Sequence, residues 1–335
     1  MQHAWRYPAG IVLGLLLCGS CRAAARETIP ADAATGAQGA WLKHAVASLA
    51  AMPDTDALVT AAVLARQLPD GQARSIDLLD RAVASAPQAA DIGLLDITTC
   101  SGQAGCDALK REARLRHVDP RNGNLWMVAL HDASKRNDRS RIDSALSRMA
   151  QSDRFDIHFM SLGRRFLVAL KRIPPPPGAA GASADSLRQM QAMSLVAAFV
   201  LPPMQDLVDA CRPGNPVHDA RRKTCRAIAD ALRRSDSLIP EMIGLRLQEW
   251  TARDAADKDD ALTRRRRLQW EMRQLSDVSG TAVMPPASQI GIMLAHENEV
   301  DGIDAMLLAT GRPLVPPVHW QPPLPASAST SQAQP

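Results

Sequence analysis

The chain has 335 residues, 46% of them hydrophobic and only 3% aromatic, with 39 basic and 35 acidic side chains and a formal net charge of +4. This length and apolar content are ordinary for a folded protein with a sizeable core or two modest ones. Acidic residues interleave with the basic clusters and few rings are present to stack on bases, which argues against nucleic-acid binding. Alanine is abundant and alternating strand patterns are scarce, so the composition predicts an all-α protein.

The first 25 residues have the pattern of a secretory signal peptide. Arg6 gives a weakly positive start, and an apolar run over residues 11–17 follows it. This run is far shorter than the roughly 20 residues needed to span a bilayer, and small residues come directly after it. We therefore predict that the protein is exported; a buried N-terminal helix is the other interpretation.

The end of this leader allows two fates. Three alanines at residues 23–25 fit ordinary cleavage, which would leave Arg26 first. Alternatively, Gly19-Ser20-Cys21 resembles the end of a bacterial lipobox, which implies that Cys21 is lipidated and anchors the protein in the outer membrane, facing the periplasm. Without the lipid, the protein would be soluble in the periplasm or secreted. We predict that residues 26–40 are a flexible tether.

A period of 33 residues runs through the first half of the chain. Similar helix-ending residues recur at 85–87, 118–120 and 151–153. Repeats of this length are typical of stacked helical hairpins. We therefore predict helical repeats over residues 41–172.

Apolar residues recur at helical spacing within these units. In the clearest unit, one stripe begins at Trp126, Asn137-Asp138 breaks the pattern, and a second stripe begins at Ile142. Each helix of this kind has one apolar stripe and one polar face. A further single helix is predicted from Phe155 to Phe166. The stripe positions of the first unit are Leu58, Ala61, Leu64 and Leu68, then Ile76, Leu79 and Val83.

These units resemble tetratricopeptide repeats over about residues 55–155. The resemblance is carried by Trp126 near the start of a first helix, Ala82 in a second helix, and Pro87 and Pro120 at repeat ends. It implies a superhelix of helix pairs with a concave groove, and a function in binding other proteins.

The second half of the chain is also predicted to be helical. Four prolines and a Gly/Ala stretch make residues 173–184 a linker or a long loop between helices. Amphipathic and apolar segments follow over residues 185–310. From Gly311 onward, Pro, Ser, Gln and Ala dominate, which predicts a disordered tail over residues 311–335.

The sequence contains no local catalytic, cofactor or metal motif. His296-Glu297 begins a zinc-protease pattern, but Val300 stands where the second histidine would be. We therefore predict a non-enzymatic binding or scaffold protein of the bacterial cell envelope that holds a protein partner on a concave surface. The alternative is an envelope enzyme acting on cell-wall or lipid substrates through residues distant in sequence.

Four side chains are candidates for contacting that partner, and one basic run is a candidate for anionic ligands. The four are Trp126, His158, Trp250 and Trp270. For His158 the alternative is an ordinary helix-edge histidine, and for Trp250 and Trp270 the default interpretation is core packing. The basic run covers residues 264–267, which could meet anionic groups such as lipid headgroups or form an ordinary solvated helix face.

Four cysteines remain once the leader is removed or Cys21 is lipidated. An even number in an oxidising compartment predicts disulfides rather than buried free thiols. We predict Cys100–Cys106, across the turn of one hairpin, and Cys211–Cys225, across the loop between two helices.

Overall fold

The computed structural model describes residues 31–178, 183–199, 204–215, 217–279 and 286–322. Within these ranges the chain forms α-helices and one short 3-10 helix, with no β-strand. The predicted all-α fold is confirmed. The predicted signal peptide and Cys21 lie outside the described residues.

The helices are numbered here in chain order. They are α1 (Ala31–Ala50), α2 (Thr55–Ala65), α3 (Gly71–Ser85), α4 (Ala90–Cys100), α5 (Ala108–Val118), α6 (Met127–Lys135), α7 (Arg139–Ala150), α8 (Phe159–Leu170), α9 (Ala184–Phe199), α10 (Gln205–Cys211), α11 (His218–Leu232), α12 (Leu238–Thr251), α13 (Ala255–Ser279), α14 (Pro286–Leu294) and α15 (Glu299–Ala309). A 3-10 helix, Gly123–Trp126, leads directly into α6.

Three helical hairpins occupy the positions expected from the 33-residue period. Helix α2 packs against α3, α4 against α5, and α6 against α7. Asp70 and Asn137 turn the first and third hairpins with left-handed φ angles of 57° and 53°, a conformation that short polar side chains tolerate. Gly102 and Gly105 turn the second hairpin with φ of 78° and 76°. The hairpins are present, and their tetratricopeptide register stays a prediction.

Helix α2 is buried along almost its whole length. Every residue from Ala57 to Ala65 is buried, because α1, α3, α8 and α9 all pack against this helix. Its alanines keep the helix thin, so neighbouring backbones approach closely. Helix α2 therefore lacks the polar face that the amphipathic pattern of the repeats predicts.

Helix α1 takes the place of part of the predicted tether. The helix includes residues 31–40, so the prediction of a flexible segment over 26–40 is wrong for those residues. The alanines that suggested flexibility also have the highest helix propensity, and a buried stripe holds the helix against α2. That stripe consists of Trp41, Leu42, Ala45, Val46 and Leu49.

The two halves of the chain share their hydrophobic cores. Helix α7 packs against α11, and α8 packs against α9 and α14. One apolar cluster includes residues from Trp41 to Leu307, and another includes residues from Met127 to Leu247. The indole Nε1 of Trp41 also donates a hydrogen bond to the carbonyl of Pro174 at 3.0 Å. Residues 173–178 therefore belong to a loop within one packed body and do not separate two independent domains.

The chain beyond α15 makes more contacts than a disordered tail would. Residues 311–322 are described, and the indole Nε1 of Trp270 on α13 donates to the carbonyl of Pro313 at 2.8 Å. The rest of the predicted tail, residues 323–335, lies outside the described part of the chain.

The N-termini of α8, α12 and α15 meet in a buried polar cluster, which we call the three-helix junction. Its acidic and amide members are Asp156, Asp236, Asn298 and Glu299. The two carboxylate oxygens of Asp236 accept the backbone N–H groups of Ile157 and His158 at 2.9 and 2.7 Å. In return, the backbone N–H of Asp236 donates to Asp156 at 3.2 Å. Two aspartates 80 residues apart thus bind each other's backbone segments.

Glu299 completes the junction from α15. Its carboxylate accepts hydrogen bonds from the Ser237 hydroxyl at 2.7 Å and from the Leu238 N–H at 2.9 Å, at the start of α12. Its own N–H donates to the carbonyl of Asp236 at 2.9 Å. Negative charge at helix N-termini is favourable because the unpaired N–H groups there carry partial positive charge.

The junction also determines where α8 begins. The helix predicted from Phe155 starts instead at Phe159. His158 precedes it with a left-handed φ of 57°, and its N–H is already bound to Asp236. The backbone before Phe159 is therefore held in a non-helical shape by the other half of the chain, which local periodicity could not reveal.

Burial gives the junction carboxylates unusual acidities. Burial raises the pKa of Asp236 to about 6, and the nearby Asp156 carboxylate acts in the same direction. Burial also raises the pKa of Glu299. Because folded Asp236 retains a proton that the unfolded chain releases above about pH 4, this group makes stability fall as the pH rises from about 4 to about 6. The raised pKa of Glu299 acts in the same direction.

Replacing Asp236 by Asn should destabilise the protein by about 1–3 kcal/mol at pH 7. An amide oxygen can accept only one of the two backbone N–H groups, and the amide nitrogen faces the other as a second donor. Chemical denaturation at pH 4, 5, 6 and 7 measures the change. Between pH 4 and 6 the free energy of unfolding should fall less in the variant than in the wild type, because the titrating carboxyl group is gone. Asp301→Asn, on the exposed first turn of α15, is the control; equal losses in both variants would contradict the role of the junction.

Candidate functional site

The structure gives the four predicted partner-contacting residues different surroundings. The Trp126 ring has the guanidinium of Arg116 at 3.9 Å from its centroid. The Trp250 ring has that of Arg246 at 5.1 Å. Both tryptophans are partly buried against the second apolar cluster. Both tryptophans therefore pack within the protein, which for Trp250 was the other interpretation.

His158 belongs to the three-helix junction and not to the helix on which it was predicted. Its Nε2 lies 3.9 Å from the Asp119 carboxylate, and its side chain is 20% exposed. The contacts of His158 therefore connect segments of the chain. Trp270 is covered by the protein's own C-terminal segment, with the Trp320 ring 5.3 Å away between centroids.

Each arginine of the basic run 264–267 already has a partner within the protein. Arg264 pairs with Glu241 at 2.9 Å and Arg265 with Glu249 at 2.5 Å. Arg266 donates to backbone carbonyls of residues 317–320. Arg267 pairs with Glu271 at 2.5 Å and with Asp304 at 2.7 Å. The run serves internal contacts, so the structure favours neither a lipid-headgroup site nor a freely solvated face.

A shallow, open depression lies between the second hairpin and α6. Its volume is about 420 Å³. The loop closed by the Cys100–Cys106 disulfide and the start of α5 line one side, and α6 lines the other. The lining side chains include Leu109, Val128, His131, Asp132 and Lys135. We call this feature the loop–α6 depression.

The disulfide Cys100–Cys106 shapes the rim of the depression. It joins the end of α4 to the residue before the Asp107 cap of α5, with 5.5 Å between the Cα atoms. The loop between the cysteines contains two glycines with positive φ, Gly102 and Gly105. Such a backbone is mobile when unrestrained, so the disulfide limits how far the rim can move.

A buried glutamate fixes the start of α6, which forms the opposite wall. The carboxylate of Glu112 accepts the N–H groups of Val128 and Ala129 at 2.8 and 3.1 Å. Burial raises the pKa of Glu112 to about 7, although the Arg116 guanidinium and these hydrogen bonds favour its charged form. Glu112 therefore sets the position of Val128 and of the residues one turn further on.

His131 connects the depression to the second half of the chain. Its Nδ1 lies 2.7 Å from the carboxylate of Asp206 on α10, and the two side chains are 33% and 26% exposed. Helix α10 is joined to α11 by the disulfide Cys211–Cys225, with 5.7 Å between the Cα atoms. Both predicted disulfides are confirmed. Cys100–Cys106 lies at the rim of the depression, and Cys211–Cys225 lies behind the α6 wall, on the helix that contacts His131.

The surroundings of the depression combine apolar and charged groups. Leu109 is 37% exposed and Val128 is partly exposed beside it, while Asp132 and Lys135 contribute opposite charges. Among the described residues, no group of His, Cys, Asp or Glu side chains is arranged to hold a metal ion. An open surface of this kind suits contact with a polypeptide segment better than enclosure of a small substrate.

Sequence reasoning did not identify this site. His131, Asp206 and Glu112 are separated by many residues, and none of them belongs to a recognisable motif. The available signal was the Cys100–Cys106 pair, which marks a loop that the protein keeps rigid.

Comparisons with known proteins gave no relatives. No protein-family model, curated protein or solved structure matches the chain. Within the described residues, none of the helices is both long and apolar enough to cross a membrane.

Removing each disulfide separately should lower stability by about 2 kcal/mol for Cys100–Cys106 and about 3 kcal/mol for Cys211–Cys225. The longer loop restricts the unfolded chain more strongly, and their sequence separations are 6 and 14 residues. Double alanine variants should be compared with wild type by denaturant unfolding. Non-reducing peptide mapping of the protein purified from its native cells should recover these two pairs; a fragment linking Cys106 to Cys211 would contradict the structure.

Proposed function

We propose that this protein is an exported helical scaffold of the bacterial cell envelope that binds a segment of a partner protein in the loop–α6 depression. The observation that carries this proposal is the depression itself, which is open and built from fixed walls. The tetratricopeptide-like hairpins are consistent with it, because such folds present helical surfaces to other proteins.

The fixed walls favour binding because they reduce the ordering cost of association. The rim loop is closed by a disulfide, and the α6 wall is held by Glu112 and by the His131–Asp206 pair. A surface that is already ordered loses less conformational entropy when a partner docks. Leu109 and Val128 provide apolar contact at the centre, and Asp132 and Lys135 provide polar contacts around it.

The disulfides support an extracytoplasmic location. Both bonds need an oxidising environment to form and persist, and such an environment is what export would supply. Within this proposal, lipidation of Cys21 places the protein at the outer membrane.

A photoreactive amino acid at position 109 should crosslink the partner in intact cells, whereas the same group at position 168 should not. Val168 on α8 is the matched control because it is apolar, exposed and does not line the depression. Val168 is 51% exposed, compared with 37% for Leu109. Mass spectrometry identifies the adduct.

Leu109→Asp should reduce recovery of the same partner roughly tenfold, while Val168→Asp should leave it unchanged. An acidic residue in the first turn of α5 is favourable for the helix, so loss of binding would not reflect unfolding, and thermal melts check this. Equal adducts from both positions, or undiminished recovery with Leu109→Asp, would refute the proposed binding surface.

Lipidation can be tested separately. A Cys21→Ser variant should move from the outer-membrane fraction to the soluble periplasmic fraction, because it lacks the acyl anchor. Cell fractionation with N-terminal mass analysis measures this change. A wild-type protein that is already soluble and begins at Arg26 would show that the leader is cleaved at the alanines instead.

A further inference from the structure

The C-terminal segment of the chain lies against α13 and is held mainly through its backbone. We call residues 313–320 the C-terminal strap. Arg266 donates to the carbonyls of Pro317, Val318 and Trp320 at 2.6, 2.7 and 2.9 Å. Together with the indole of Trp270, which binds the carbonyl of Pro313 at 2.8 Å, two side chains of α13 recognise four carbonyls.

The recognising groups suit a proline-rich chain. Proline has no N–H, so extended proline-rich segments offer carbonyl acceptors in preference to donors. Arginine and the tryptophan indole are donors only. The strap carries prolines at positions 313, 316 and 317, and the Trp320 ring meets Trp270 edge to face, with an interplanar angle of 73°. Aromatic side chains and donors set along one surface are the features that bind polyproline-type segments in other folds.

The strap buries little of its own apolar surface. Val315 is 72% exposed and Val318 is 83% exposed, while Leu314 is partly buried against the main core. The side chains of the two valines are therefore not what holds the strap in place. A contact made mostly of hydrogen bonds to backbone is individually weak and persists here because the strap is attached to α15 a few residues away, which gives a high local concentration.

We propose that the α13 surface formed by Arg266 and Trp270 is a binding site for an extended, proline-rich segment of a partner protein, and that the C-terminal strap occupies this site until it is displaced. The strap is the occupant that shows which ligand chemistry the site accepts: prolines with free carbonyls, followed by an aromatic residue. This site is separate from the loop–α6 depression and does not depend on the function proposed for it.

Binding of a labelled peptide with the sequence of residues 311–322 to the full-length protein tests the proposal. In the wild type the strap competes with the peptide. Trp320→Ala removes the ring that packs on Trp270 and should weaken the strap, so this variant should bind the peptide about threefold to tenfold more tightly. Fluorescence anisotropy of the labelled peptide measures both affinities.

Two variants of the site and one matched control decide the outcome. In the Trp320→Ala background, Trp270→Phe removes the indole donor and Arg266→Lys removes the forked donor, so each should weaken peptide binding several-fold. Trp250→Phe, on α12, should have no effect. A peptide with alanine in place of its prolines should bind more weakly. Undetectable binding at millimolar peptide, or equal binding by all variants, would overturn the proposal, as would a full-length protein that exchanges straps in a dimer.

Discussion

The reciprocal bonding of Asp156 and Asp236 is the constraint on which the arrangement of the two halves depends. Asp236 holds the backbone just before α8, and Asp156 holds the N–H of Asp236 just before α12. Three helices begin at this point, so their directions are set together and not one by one. Burial disfavours the charged form of these carboxylates. The unpaired N–H groups at the helix starts need acceptors, however, and this need outweighs the cost of burying the charge.

The same coupling between halves gives the loop–α6 depression its shape. One wall comes from the hairpin α4–α5, and the other is α6, whose His131 is bound to Asp206 on α10. Neither half of the chain alone would present this surface in the same form. The Cys100–Cys106 disulfide acts on the rim of one wall, whereas the His131–Asp206 contact joins the other wall to α10, which the Cys211–Cys225 disulfide links to α11.

Much of the fold could be predicted from sequence because its signals are local. Helical periodicity and the 33-residue spacing place the three hairpins, and the compartment argument with short loops gives both disulfide pairs. Apart from the tether, whose alanines were interpreted as flexible, the errors have one origin. The start of α8, the packed loop after Ile173 and the partners of Arg264–Arg266 all depend on residues outside the local segment. For the same reason, His131 and Asp206 carry no mark of their pairing in the sequence, since 75 positions separate them.

The burial of α2 has a consequence for the order in which the chain can fold. Two of the helices that cover α2, α8 and α9, are made long after it. During synthesis, which begins at the N-terminus, α2 therefore lacks some of the helices that bury it until about 130 further residues have been made. Until then the apolar surface of α2 is not fully covered, and such surface makes incompletely folded chains prone to aggregation. The same exposed helix is a surface that chaperones can bind while the chain is incomplete.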